Sequence, residues 1–237
     1  MNDSTALVTG ANQGIGKEIA RQFAAAGLIV YLGSRDPERG QRAVDEIGGN
    51  ARLLTLDVTD GQSVADAARQ VENLDILVNN AGISVDLNPV TETDVDAFRR
   101  TYETNVFGVV AVTNAFLPAL RRSARPRIVN LSSGTGSLGW STGPQPRFPA
   151  TGSLAAYRSS KTALNALTVF YAQALAGDGF KVNALAPGLR KTNLNVTAAA
   201  SGGDPAEAAA GAVQLALLPD DGPTGEFLSW DGTRVPW

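Results

Sequence analysis

Tyr157 and Lys161 are the residues of this chain whose types and spacing point most directly to chemistry. They lie four apart in a stretch, residues 155–176, that reads as a long helix, so both side chains share one face, one turn apart. Four tyrosines and four lysines in 237 residues give about 0.07 such pairs by chance, so the spacing is informative. A phenol with an ordinary pKa near ~10 is a poor proton donor or acceptor at neutral pH unless a neighbouring cation lowers it, and Lys161 is such a cation. The chain has no histidine and no cysteine. That excludes Ser-His-Asp hydrolysis, thiol nucleophiles, disulfides and thiolate metal sites, and leaves proton transfer to Tyr, Lys, Asp, Glu or water. Ser133 closes an apolar run, 127–131, at the edge where open α/β sheets place their ligands. The plain alternatives are a helix-surface pair for Tyr157 and Lys161 and a turn hydroxyl for Ser133.

Such groups need a scaffold, and the scaffold begins at Thr9 to Gly16. The apolar run Ala6-Leu7-Val8 reads as a buried strand, and Ile15, Ile19, Ala20 and Phe23 recur at helical spacing after it. Between them Gly10, Ala11, Asn12, Gln13, Gly14, Ile15 and Gly16 form a turn in which glycines let the backbone approach a pyrophosphate. The helix that follows aims free N–H groups and its positive dipole end at that anion. The spacing differs from G-x-G-x-x-G, but the physics is the same. A tight turn with glycines for packing alone is the plain alternative.

A second strand, residues 28–33, ends in Ser34-Arg35-Asp36. An acid at this place suits a ribose 2′-hydroxyl and a cation suits a 2′-phosphate, so Ser34 and Arg35 favour NADPH/NADP+ over NAD(H). Gln13 tempers this, since a second cation in the glycine loop would strengthen it. Helices are expected at 37–47 and 61–73 and a third strand at 52–57. Asp57 and Val58 at its tip suit an adenine amino group, or Asp57 caps the next helix. Residues 74–78 read as a fourth strand leading into Asn79-Asn80-Ala81-Gly82, which suits the ribose and nicotinamide side of a cofactor or an ordinary turn. Long helical patterns follow over 92–121, interrupted near Thr104-Asn105, where a buried amide needs partners. Strands are expected at 127–131, 181–186 and 225–230, and a last helix at 205–218.

The β-α alternation predicts an α/β, Rossmann-type doubly wound parallel sheet of about seven strands with helices on both faces, in one domain spanning 1–237. A net charge of −3 gives no electrostatic argument for nucleic acid or an acidic membrane. No apolar run approaches the ~18 residues of a membrane helix, and Met1-Asn2-Asp3-Ser4 carries no secretory signal, so the expectation is a cytoplasmic protein.

Taken in order, Gly10-x3-Gly14-x-Gly16, Asn79-Asn80-Ala81-Gly82, Asn105, Ser133, Tyr157-x3-Lys161 and Pro187-Gly188 resemble the single-domain short-chain dehydrogenases/reductases. The loop and the ending Gly222-Pro223-Thr224-Gly225-Glu226-Phe227 through Trp237 look most like the NADPH-dependent carbonyl reductases of that family. The resemblance implies that Tyr157 exchanges a proton with the substrate oxygen as hydride moves to or from nicotinamide. Lys161 would lower the tyrosine's pKa and hold the nicotinamide ribose. Ser133, rather than Ser132, would bind the substrate oxygen, and Asn105 would hold a water relaying protons to Lys161. Thr192 beyond Pro187-Gly188 would meet the nicotinamide carboxamide.

Two features depart from the pattern. The connection from Ser133 to Tyr157 is long, and its Trp140, Pro144, Pro146, Phe148 and Pro149 suggest either a wall of the substrate pocket (Trp140 and Phe148 touching substrate) or a surface excursion. The small-residue stretch 197–203, within 189–204, reads as a mobile lid. The sequence thus points to reduction of ketone or aldehyde carbonyls. An NAD(P)+-dependent alcohol dehydrogenase, or a non-catalytic NADP(H)-binding regulator, is the alternative. The partner is a small molecule, and monomer and homo-oligomer are both open.

Overall fold

A computed structural model describes residues 4–148 and 151–237, with the side chain of Ser201 excepted. Pro149 therefore lies outside the described residues. Seven parallel strands form one sheet: β1 Thr5–Thr9, β2 Ile29–Ser34, β3 Ala51–Thr55, β4 Ile76–Asn79, β5 Arg127–Leu131, β6 Lys181–Ala186 and β7 Phe227–Ser229. Their order is β3-β2-β1-β4-β5-β6-β7, so the winding reverses between β1 and β4. A ligand crevice opens outside the strand ends at such a point.

Strand alternation sorts the core into two layers. Ala6 and Val8 of β1 face a cluster with Ile19, Phe23, Ala43 and Ala212. Leu7, between them, faces a second cluster with Val64, Val112, Phe116 and Ala172. The first layer is covered by α1 Gly14–Ala25, α2 Pro37–Ile47 and, near the chain's end, a helix over Pro205–Ala216. The second is covered by α3 Gly61–Arg69, by helices over Gly108–Leu120 and by a long helix over Ala155–Ala174. Burial on both faces explains the nearly continuous apolar strands in the sequence.

The expected 92–121 helix is three pieces: α4 Val95–Tyr102, a π-helical turn Glu103–Phe107, and α5 Gly108–Leu120. Asp94 caps α4 through Asp96 N at 3.0 Å, which delays the start to 95. The π turn falls where Asn105 interrupts the apolar pattern, and such turns recur at functional sites. The third strand stops at Thr55 because Asp57 enters a turn, its Oδ1 accepting from Thr59 N at 2.9 Å. The long connection before Tyr157 holds α6 Leu138–Thr142, and α7 Ala155–Ala174 follows. Residues 197–203, expected as a mobile stretch, carry most of α8 Val196–Ser201, capped by Asn195 Oδ1 accepting from Ala198 N at 2.9 Å. The last helix is α9 Pro205–Ala216.

Candidate active site

Gly10 and Gly14 adopt φ of +64° and +58°, a backbone state that side chains rarely tolerate. Gly16 answers a different need. A Cβ there would lie 2.3 Å from Asn80 Nδ2 and 2.8 Å from Gly10 O. Asn80 is close because its amide donates to Thr9 O at 2.8 Å and Gly10 O at 3.2 Å, fastening the tip of β4 to the glycine loop. The Thr9 hydroxyl completes the tie by accepting from Asn80 N and Ala81 N, each at 3.0 Å. Gln13 precedes α1 without a side-chain cap, and the first turn carries no acid. The N–H groups of that turn are left without a side-chain acceptor where Gly14, Ile15 and Gly16 border the crevice, as an anion site requires.

This crevice is a cleft of about 470 Å³. Asn12, Arg35, Asp57, Val58, Gly82, Tyr157, Lys161 and Thr192 border it together with the glycine loop. Arg35 is exposed and forms no ion pair among the described residues. Its neighbour Asp36 is engaged elsewhere: it caps α2 by accepting from Arg39 N at 3.0 Å and pairs with the Arg39 side chain at 3.2 Å. The Arg39 amide holds its carboxyl below the ordinary range. Asp57 is not the cap of α3, a role taken by Asp60, which accepts from Gln62 N at 2.9 Å.

Two candidate cofactor residues are not on the cleft wall. Ser34 is buried and donates to Asp36 O at 2.7 Å, below the strand tip. Gly188 has φ +70°, and its Cβ position faces Trp230 at 3.2 Å instead of the cleft. Its neighbour Pro187 does border the cleft.

At the inner end, α7 brings Tyr157 and Lys161 to one face, as their spacing requires. Lys161 is 4% exposed and donates from Nζ to Leu131 O at 2.7 Å. Burial lowers its pKa to about 8. Nζ lies 5.7 Å from the Tyr157 ring centroid. Burial raises the Tyr157 phenol to about 12, opposed by a hydrogen bond with Ser133. Desolvation is the largest influence on the phenol and sets the direction of its shift. Ser133 shares a 2.8 Å hydrogen bond with Thr135 Oγ1 as well. Its neighbour Ser132 is buried, with its hydroxyl on Asn165 Oδ1.

Asn105 is fully buried. Its Nδ2 donates to Ile83 O and to Ser160 Oγ, both at 3.0 Å, and its Oδ1 accepts from Ile83 N at 2.9 Å. Ser160 in turn donates to Tyr157 O at 2.7 Å. One Asn105 side chain therefore ties the π turn, the loop after β4 and α7 into one body. Both amide protons are engaged, leaving one lone pair on Oδ1. A Cβ on Gly82 would lie 3.4 Å from both that Oδ1 and Lys161 Nζ.

Trp140 and Phe148 stand apart from the cleft. Their ring centroids are 6.3 Å apart, and they pack over Gly134, the residue after Ser133. Phe148 borders a second, open cavity with Tyr102, Leu138 and Arg158.

The family described as short chain dehydrogenase matches residues 4–201. The chain belongs to the short-chain dehydrogenase/reductase family. Galactitol 2-dehydrogenase (L-tagatose-forming) of Cereibacter sphaeroides is 35% identical, spanning 100% of this chain and 97% of its own. (−)-Isopiperitenone reductase of Mentha piperita is also 35% identical, over 95% of this chain and 96% of its own. The crystal structure of NADPH-bound carbonyl reductase from chicken fatty liver has a TM-score of 0.85 at 28% identity, covering 100% of both chains. The seven-stranded Rossmann-type sheet is thus the family's architecture, and the chain is an oxidoreductase by family.

Several residues of this family member's cleft carried no signal in the sequence. Leu56, Ile83, Ser84, Val85, Thr104 and Leu194 border it and are chain neighbours of recognised positions. Adjacency to a strand tip is the signal that could have found them. Ser84 Oγ is buried without a hydrogen-bond partner. Only the packed structure reveals it.

Proposed function

We propose that this protein is an NADPH-dependent reductase of ketone and aldehyde carbonyls, with residues 1–237 acting as one catalytic unit. The observation that carries the reading is Tyr157, in hydrogen-bonding contact with Ser133 and one turn from Lys161, at the end of a cleft whose other end is a glycine cradle. The cradle fits a dinucleotide: Gly10 and Gly14 turn the chain at positive φ, Gly16 lets the loop close on Asn80, and the first turn of α1 leaves N–H donors for the pyrophosphate. Arg35 would hold a 2′-phosphate in a charge-assisted contact, with Asp36 too engaged to repel it. Asp57 and Val58 would flank the adenine, and Asn80, Ala81, Gly82, Pro187 and Thr192 the ribose and nicotinamide end. The bound nicotinamide supplies the hydride.

The chain's own groups manage the proton. A phenol with a pKa near about 12 is protonated at neutral pH, so Tyr157 is ready to donate to a carbonyl oxygen. Ser133 would hold that oxygen by a hydrogen bond and stabilise the charge gathering there. Lys161, protonated below about pH 8, lends positive charge to the same corner. The free lone pair of Asn105 Oδ1 would hold a water leading from Lys161 towards solvent. The connection 134–156 would wall the substrate pocket and the 189–204 segment would cover it.

Alcohol oxidation in the same site is the second reading, favoured by the similarity to a dehydrogenase over the whole chain. It needs Tyr157 ionised, which the raised pKa disfavours at neutral pH. The test is oxidation of NADPH and NADH in parallel by the purified protein across ketones, aldehydes and quinones, with Tyr157→Phe beside it. The expected result is turnover with NADPH, weak use of NADH and a loss of about 10²-fold or more in the variant. NADPH binding with no turnover of any carbonyl would favour a regulator, and preference for NADH would overturn the role of Arg35.

A further inference from the structure

The segment between β6 and α9 leaves the sheet at Pro187 and returns at Asp204, and it is closed at its base. Lys191 N donates to Gly203 O at 2.8 Å and Gly203 N to Leu189 O at 2.9 Å, so Arg190 and Gly203 pair as in a parallel sheet. The Arg190 side chain sits beneath this base and is 6% exposed. Its Nε donates to Pro187 O at 2.7 Å, its Nη1 pairs with Glu207 in the first turn of α9, and its Cζ stacks 4.2 Å from the Trp230 ring centroid. Gly203 and Gly202 make room for it: a Cβ on Gly203 would lie 2.7 Å from Arg190 Nη1, and one on Gly202 only 2.0 Å from the Arg190 carbonyl carbon.

One guanidinium therefore joins the first foot of the excursion at Pro187, the residue after β7 and the start of α9, just where backbone hydrogen bonds join the two feet. The stretch directly after Arg190 touches the cofactor cradle. Asn193 Nδ2 donates to Gln13 Oε1 at 3.2 Å, and Thr192 Cγ2 lies 3.3 Å from where a Gly14 Cβ would be. Thr192, Asn193 and Leu194 border the cleft.

We propose that Arg190 is a positioning residue that pins the feet of the 187–204 segment so that Thr192 and Asn193 stay across the glycine loop and retain the nicotinamide half of the cofactor. The inference rests on the NADP(H) reading above. A buried cation held by a carbonyl, a half-exposed carboxylate and a ring face sets one geometry, which an apolar side chain of similar length does not. Only two residues separate Arg190 from Asn193, so freedom at the foot is freedom at the tip.

The experiment compares wild type, Arg190→Met, Arg190→Lys and Glu207→Gln. Dissociation constants are measured for NADPH and for adenosine 2′,5′-bisphosphate, which lacks the nicotinamide half, and backbone hydrogen exchange is followed over 187–204. Arg190→Met is expected to weaken NADPH about tenfold, to leave the bisphosphate within about twofold, and to speed exchange within 187–204. Arg190→Lys should recover part of the loss, and Glu207→Gln should show a smaller effect of the same kind. Equal weakening of both ligands, or a lower melting temperature with wild-type NADPH affinity and exchange, overturns the proposal. Should Arg190→Met not fold, Glu207→Gln decides it by the same two readouts. A wild-type protein that binds neither ligand overturns the NADP(H) reading, a failure distinct from that of the clamp.

Discussion

Replacing Lys161 by Met should stabilise the ligand-free protein while abolishing turnover. The amine is 4% exposed, and burial moves its pKa from 10.5 to about 8. At 1.36 kcal/mol per unit this is roughly 3 kcal/mol of cost in keeping the charge inside the fold at neutral pH. The hydrogen bond to Leu131 O returns about 1.5 kcal/mol, being made by a charged donor. The net gain for an apolar side chain of similar length is about 1–2 kcal/mol, or a rise of roughly 2–8 °C in melting temperature for a chain of this size. The sign of the pH dependence follows from the direction of the shift. The folded pKa lies below the unfolded one, so the cost is complete below about pH 8 and fades as pH climbs towards 10.5. The cost falls to about 1.4 kcal/mol at pH 9.5, so the advantage of the variant should all but disappear between pH 7 and pH 9.5. Above pH 10 Tyr157 acts on both proteins: its folded pKa is raised to about 12, so stability falls there as the unfolded chain ionises first. Thermal unfolding of both proteins over this range, without cofactor, provides the measurement. A variant no more stable than wild type at pH 7, with a parallel pH profile, would refute the view that Lys161 is a desolvated cation held for function.

Other outcomes follow from the same geometry. Arg35→Glu should weaken NADPH by about 10- to 100-fold, the worth of a charge-assisted contact, while leaving NADH within a few fold; fluorescence titration with each cofactor checks this. Gly16→Ala should lower both cofactor affinity and melting temperature, because its Cβ would meet Asn80 Nδ2 at 2.3 Å and the Gly10 carbonyl at 2.8 Å, and backbone cannot step aside. Carbonyl reduction should hold steady up to about pH 8 and decline as Lys161 loses its proton, whereas alcohol oxidation should keep rising into alkaline pH as Tyr157 ionises. Initial rates in each direction as a function of pH would test both trends.

The strands and most helices were legible because a doubly wound sheet imposes strong local rules. Strands buried on both faces read as apolar runs, and Pro37–Ile47 announced its own start through Asp36 and Pro37. The glycine loop was legible because positive φ at Gly10 and Gly14 and close approach at Gly16 leave few other residues possible. What escaped depends on packing between distant segments. Ser34 looked like a strand-tip contact, yet its hydroxyl turns back to Asp36 O and the side chain is buried. Gly188 looked like a cofactor contact, yet it clears space for Trp230, forty-two positions later. The π turn at Asn105 could be seen as an interruption, but the sequence alone did not show that its amide would join Ile83 and Ser160. Lys161 was expected to lower the phenol's pKa. The balance went the other way because desolvation depends on every wall of the cleft, and spacing along one helix says nothing of the rest.

The most direct test of the account is isotopic. The protein would be incubated with NADPH carrying deuterium at the transferable C4 position and with a ketone that it reduces, and the product analysed by mass spectrometry, alongside Tyr157→Phe. The account predicts one deuterium on the carbinol carbon of the product, formed by the wild type and lost with the variant. Product without deuterium, or undiminished labelled product from Tyr157→Phe, would contradict hydride transfer with Tyr157 as the proton donor.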